Sequence, residues 1–69
     1  MDVMRLRDEY IKLGQALKAA GLVGSGAEAK EVILKGAVSV NGETDVRRGR
    51  KLYAGDVITF NGEEVKIED

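Results

Sequence analysis

The sequence predicts an α+β domain in which two short helices pack on a small, mostly antiparallel sheet. Three observations carry that reading. Two segments with helical spacing, near residues 13–20 and 25–36, follow one another, and each runs into a glycine. The dipeptide Asn-Gly occurs twice, at 41–42 and 61–62, both times between short runs with strand character. The chain has no Pro, so no element is interrupted by a residue that lacks an amide hydrogen.

Taken in order, Met4 and Leu6 alternate with Arg5 and Arg7, which suits a short edge strand there or at Tyr10-Ile11-Lys12. Asp8 is placed to cap the first helix if that helix starts early. Leu13, Ala16, Leu17 and Ala20 recur at i, i+3, i+4 and i+7, the stripe of an amphipathic helix, and Gly21 stops it. Gly14 lies inside the stripe, where it costs up to about 1 kcal/mol relative to Ala. It marks either the true helix start or a close approach by another group. Ser25 and Glu28 have the S-x-x-E spacing of a capping box, in which each side chain accepts an unpaired backbone N–H of the other. Ala29, Val32, Ile33 and Gly36 form the second stripe, with Lys30 beside it and Lys35 on its outer side. The period then changes to two. Val38 and Val40 flank Ser39, Asn41-Gly42 turns the chain, and residues 43–46 return as a strand. Residues 47–51, Arg-Arg-Gly-Arg-Lys, read as a charged loop, and Ala54-Gly55-Asp56 as a turn. Val57–Phe60 forms a strand, Asn61-Gly62 a second hairpin turn, and Val65 and Ile67 lie on the returning strand. Ala29, Val32, Ile33, Val38, Val40, Val57 and Ile58 are expected in the core, with Phe60.

Composition narrows the function classes. A single small domain, residues 1–69, is expected, and its stability has to come from packing, caps and turns. With no Cys and no His there is no disulfide framework, no usual zinc site and no thiol or imidazole chemistry. The acidic residues lack calcium-loop spacing, so neither a metal nor a cofactor is expected. Ser25 and Ser39 are the only serines, and Ser25 is occupied as a cap. No catalytic constellation results, and the chain is not expected to be an enzyme. No run of 18 apolar residues is present, and the first residues lack an apolar leader, so a cytoplasmic protein without a membrane partner is expected.

The net charge of −1 conceals an asymmetry. Residues 30–51 carry six basic and three acidic side chains, and residues 52–69 carry one basic and five acidic. A basic middle and an acidic tail polarise the surface. Lys30, Arg47, Arg48, Arg50 and Lys51 suit phosphate contacts, as does the N-terminus of the helix that Ser25 opens. The aromatic residues are only Tyr10, Tyr53 and Phe60, which disfavours a stacking platform for single strands and favours structured RNA read by shape and phosphate.

The order of these pieces resembles the RNA-binding domain named after ribosomal protein S4, which carries the αL motif. Between about Leu13 and Phe60, the residues Leu17, Gly21-Leu22, Ser25, Glu28-Ala29-Lys30, Ile33, Gly36, Val38-Ser39-Val40-Asn41-Gly42 and Gly55-Asp56 fall in that family's order and spacing. Tyr10–Gln15 and Thr44–Lys51 are similar to the small stand-alone bacterial members of YaaA and YbcJ type. The resemblance implies a non-catalytic domain that binds structured RNA, ribosomal RNA or tRNA, as a ribosome-associated or assembly factor; separately, a monomer is expected. Its implied RNA face comprises Ser25, Lys30, Lys35, Asn41, Arg47, Arg48, Arg50 and Lys51, together with Lys12 and Gln15. Larger members place Arg directly after the serine; Gly26 stands there in this chain, which removes one phosphate contact. The alternative is a protein-interaction module that keeps the fold without RNA binding and docks its basic loop on an acidic partner.

Overall fold

A computed structural model describes residues 2–69. The elements are β1 (Asp2–Arg5), β2 (Ile11–Lys12), α1 (Leu13–Ala19), α2 (Gly26–Leu34), β3 (Val38–Val40), β4 (Glu43–Thr44), β5 (Lys51–Leu52), β6 (Val57–Phe60) and β7 (Glu63–Glu68). Five strands form one sheet in the order β1-β7-β6-β3-β4. All its pairings are antiparallel except that of β1 with β7, which is parallel. A separate antiparallel ribbon joins β2 to β5. Both sites proposed for an N-terminal strand are therefore used, one at the sheet edge and one in the ribbon.

The two helices end by the same device. The N–H of Gly21 donates to the Lys18 carbonyl and that of Leu22 to the Leu17 carbonyl; Gly36 and Ala37 repeat the pattern on Ile33 and Val32. Each glycine lets the chain turn into the left-handed region so that two orphan carbonyls are paired. The two Asn-Gly hairpins behave alike as well. Asn41 and Gly42 have φ of 52° and 85°, and Asn61 and Gly62 have 54° and 81°, the signature of the turn that matches strand twist.

The core is assembled from Leu13, Ala16 and Leu17 of α1, Ala29 and Ile33 of α2, and Val38, Val40, Ile58, Val65 and Ile67 of the sheet. Leu52 of the ribbon and Val23 of the inter-helix turn complete it. Val32, Val57 and Phe60 are only half-buried. Val57 is adjacent to Ile58, and neighbours along a strand face opposite sides, so only one of the two can reach the core. Val32 sits beside the Ala29–Ile33 row rather than on it.

Three local expectations are corrected. Asp8 does not cap α1; the helix begins at Leu13, with Lys12 in the cap position. Residues 11–12 are held in the ribbon, and the first helical N–H groups are paired by loop carbonyls, Leu13 to Arg50 at 2.8 Å and Gly14 to Arg48 at 3.1 Å. At α2, Ser25 Oγ accepts the Glu28 N–H at 3.1 Å as expected, but the Glu28 carboxylate accepts from Gly24, at 2.8 Å, one residue earlier than a capping box requires. The strand expected over 43–46 stops at Thr44. The Asp45 carboxylate accepts the Arg47 N–H, at 2.8 Å, and this Asx-type turn bends the chain out of the ladder.

Candidate nucleic-acid interface

The basic loop is built on a buried acid. Asp45 is the sole buried charged residue among those described, only 6% exposed. Its Oδ1 accepts from the Arg47 backbone N–H and from Arg47 Nε at 3.1 Å; its Oδ2 accepts from Arg47 and from Arg50, both at 2.8 Å. Fork-shaped pairing of this kind fixes a guanidinium in direction as well as in place. The Arg47 guanidinium, reinforced by Arg50, holds the Asp45 carboxyl well below the usual carboxylate range against the opposing effect of burial. The Arg47 side chain remains 69% exposed, whereas that of Arg50 is 29% exposed. One carboxylate thus aims two arginines while cancelling part of their charge.

The same loop is anchored to the start of α1. The Arg48 and Arg50 carbonyls take the first N–H groups of the helix, and the Arg48 side chain crosses Gly14 so closely that a Cβ there would lie 2.9 Å from Arg48 Cγ. Of the two readings of Gly14, close approach is therefore the one observed. Lys12 opposes Lys51 across the ribbon, so Lys12, Arg47, Arg48, Arg50 and Lys51 form one cationic cluster around the N-terminus of α1, with Gln15 in its first turn. Gln15 Oε1 lies 3.4 Å from the Lys12 N–H.

The remaining site residues stand elsewhere. Ser25 and Lys35 flank α2 as its cap residues and Lys30 lies on it; all three are exposed, with no hydrogen bond or ion pair to the loop among the described residues. Lys35 pairs with Glu31 at 3.5 Å on the helix surface. Asn41 is used as a brace: its Oδ1 accepts the Val57 N–H at 2.8 Å, and its Nδ2 donates to Asp56 at 3.0 Å. The second Asp56 oxygen accepts the Tyr53 N–H at 2.8 Å. Asn41 and Asp56, from the two short motifs V-N-G and G-D, therefore lock the β3–β4 turn to the turn before β6.

Two features escaped the sequence reading. One is Asp45, whose only local signal is its place two residues before an arginine. The other is Tyr10 and Tyr53, which the ribbon brings together with ring centroids 6.0 Å apart.

This arrangement can be compared with known proteins. The family model described as the S4 domain matches residues 4–68. The chain belongs to the S4 domain family. It is 52% identical over 54 residues to a probable ribosome maturation protein, RlbA, of Bacillus subtilis (strain 168), covering 78% of this chain and 76% of that one. It is 36% identical over 58 residues to YbcJ of Escherichia coli (strain K12), covering 84% and 83%. The solution structure of E. coli YbcJ, described as revealing an αL motif involved in RNA binding, superposes with a TM-score of 0.77 at 33% identity, covering all of this chain and 89% of that one. The S4 domain is a non-catalytic kind of fold and shares the α+β architecture seen here. Among the described residues of this S4 domain, no group of acidic side chains is arranged to hold a metal ion, and no helix is long and apolar enough to cross a membrane.

Proposed function

We propose that the whole chain, residues 1–69, is a single non-catalytic domain that binds structured RNA through the cationic cluster at the start of α1. The observation that carries this reading is the anchoring of residues 47–51 to α1, which brings the loop of Arg47, Arg48, half-buried Arg50 and Lys51, with Lys12 opposite Lys51, to the start of one helix in a chain of net charge −1. Charge concentrated in this way attracts phosphate despite the overall balance. Ser25, Lys30 and Lys35 extend the contact along α2, and Gln15 supplies a neutral donor beside the cluster. Asn41 contributes by holding the turn in shape. The name of the Bacillus relative supports ribosomal RNA as the target and a cytoplasmic, ribosome-associated role; tRNA is the other structured RNA of the right kind. The domain is taken to act as a monomer.

Phosphate binding releases condensed counterions, so affinity falls linearly with salt on logarithmic axes. Arg48→Ala combined with Lys51→Ala is expected to weaken binding to ribosomal RNA and to flatten that slope by about 0.7–0.9 for each phosphate that is no longer neutralised. Neither side chain is ion-paired among the described residues, so the stability of the fold should be little changed. Titration of labelled ribosomal RNA at several salt concentrations measures both quantities. An unchanged slope would overturn the proposal and leave protein interaction as the leading reading.

A subtler variant is Gly14→Ala. The added Cβ would displace the Arg48 side chain while improving helix propensity by up to about 1 kcal/mol. RNA affinity is expected to fall while the thermal midpoint holds or moves only slightly. Equal affinity in a side-by-side titration would remove Arg48 from the contact face.

A further inference from the structure

The ribbon β2–β5 has two faces, set by the strand period of two. Ile11 and Leu52 point inward, half-buried and buried. The residues on either side of them must then point outward: Lys12 and Lys51, which are direct partners, and Tyr10 and Tyr53, which continue the same register beyond the strand ends. All four are exposed. The tyrosine rings lie 6.0 Å apart at an angle of 50°, and Lys51 Nζ lies 4.8 Å from the centre of the Tyr10 ring.

This face is costly for an isolated protein. Like charges directly opposite each other on a strand pair are destabilising, and Lys12 faces Lys51. The Lys51 ammonium partly offsets that by leaning on Tyr10. Two rings that are 36% and 45% exposed add apolar surface beside the two cations. A phosphate between the lysines would relieve their repulsion, and a flat ring on a tyrosine would cover the apolar surface. A nucleotide supplies both groups at once.

Tyr53 is the better platform. Lys51 takes one side of Tyr10, whereas Tyr53 has no cation over it among the described residues and is the more exposed of the two. Its backbone is held at both ends of a tight turn, by the Asp56 carboxylate on its N–H and by the Asp56 N–H on its carbonyl, at 2.8 and 3.0 Å. Because the backbone beneath the ring is already held, less freedom is lost when a base stacks on it. Tyr10, though not Tyr53, also forms one wall of a groove of about 460 Å³ with a mixed polar and apolar lining that includes Arg5, Arg7, Asp8 and Gln15, which leaves room beside the Tyr10 ring for a neighbouring nucleotide.

We infer that the outer face of the β2–β5 ribbon is a subsite for one unpaired base of a structured RNA, stacked on Tyr53 with its phosphate between Lys12 and Lys51. This rests on the RNA-binding reading above and adds to it: the preferred RNA carries a bulged or looped-out nucleotide next to a duplex. Base–aromatic stacking tolerates any base, so the subsite selects for an unpaired position rather than for a sequence.

The test compares two hairpin RNAs, each closed by the same non-nucleotide linker in place of loop bases, that differ only by one bulged adenosine. The chain has no Trp, and Tyr10 and Tyr53 are its only tyrosines, so intrinsic tyrosine emission reports on this face alone. The bulged hairpin is expected to bind more tightly than the fully paired one and to quench tyrosine emission. Tyr53→Leu should lose roughly 5- to 150-fold in affinity for the bulged hairpin, the range of one base–aromatic stack, while its affinity for the paired hairpin is kept. Tyr53→Phe, which retains the ring, should bind the bulged hairpin like the wild type. If the wild type binds both hairpins equally, or if Tyr53→Leu weakens both alike, the subsite is overturned and the RNA-binding reading stands. If the wild type binds neither hairpin at any salt concentration tried, the RNA-binding reading falls, and the subsite with it.

Discussion

Ile33→Ala is expected to lower the stability of the domain by about 2–5 kcal/mol. Ile33 is fully buried in α2, on the row that begins with Ala29, and belongs to the cluster that joins the helices to the sheet. Removing its branched side chain costs the transfer of the deleted methyl groups and also leaves a cavity that two short helices cannot close by collapse. A domain of this size has a total stability of only about 5 kcal/mol, near the low end for folded proteins, so the variant should be largely or partly unfolded at room temperature. Circular dichroism during heating measures this directly. A thermal midpoint equal to that of the wild type would show that α2 does not pack through Ile33. Val32→Ala, one position away on a half-buried site, should cost clearly less and serves as the internal comparison.

Asp45→Asn is expected to cost about 1–3 kcal/mol near neutral pH, because charge-assisted hydrogen bonds to two arginines are replaced by weaker ones and one donor pair is brought face to face. The effect should depend on pH with a definite sign. The folded state holds the Asp45 carboxyl below its unfolded value of 3.8, so the wild type gains stability from this group at all pH values above that point. As the pH drops below it, the unfolded chain takes up a proton that the folded chain refuses, and the advantage shrinks. The stability difference between wild type and Asp45→Asn should therefore be constant from neutral pH down to about pH 5 and narrow steadily towards about pH 2. Urea unfolding of both proteins across that range measures it. A difference that does not change with pH would mean that the bonds to Arg47 and Arg50 contribute nothing in solution. Because the comparison is between two proteins, the titration of the other carboxylates largely cancels.

Much of this architecture could be read from the sequence because it is encoded locally. The stripes Leu13-Ala16-Leu17 and Ala29-Ile33 follow from the helical period, and their glycine stops from the geometry of a helix end. The Asn-Gly turns specify two hairpins within a few residues each, which fixes the neighbours β3–β4 and β6–β7. The ordered motifs from Ser25 to Asp56 were enough to place the chain in the S4 domain family, and the basic residues of the loop were visible as a run of charge.

Pairings between distant segments were beyond the sequence, because no local period or turn specifies a partner far along the chain. The parallel pairing of β1 with β7, the first strand beside the last, is one of these. The ribbon of β2 with β5 is another, and it decides the functional face. Its register sets Tyr10 beside Tyr53 and Lys12 against Lys51, although the partners are remote in sequence, and it turns scattered aromatics into a pair. The same docking lets loop carbonyls cap α1, which makes Asp8 unnecessary and leaves no room for a side chain at Gly14 unless that of Arg48 moves. Burial of Asp45 is likewise a property of the packed state, since an aspartate two residues before an arginine has no reason to be buried until the core has closed over it. By itself the sequence determined the helices, the hairpins and the family; the tertiary structure decided which charges share a face and which are held by an internal acid, because those relations are settled only when remote segments bury their apolar sides together.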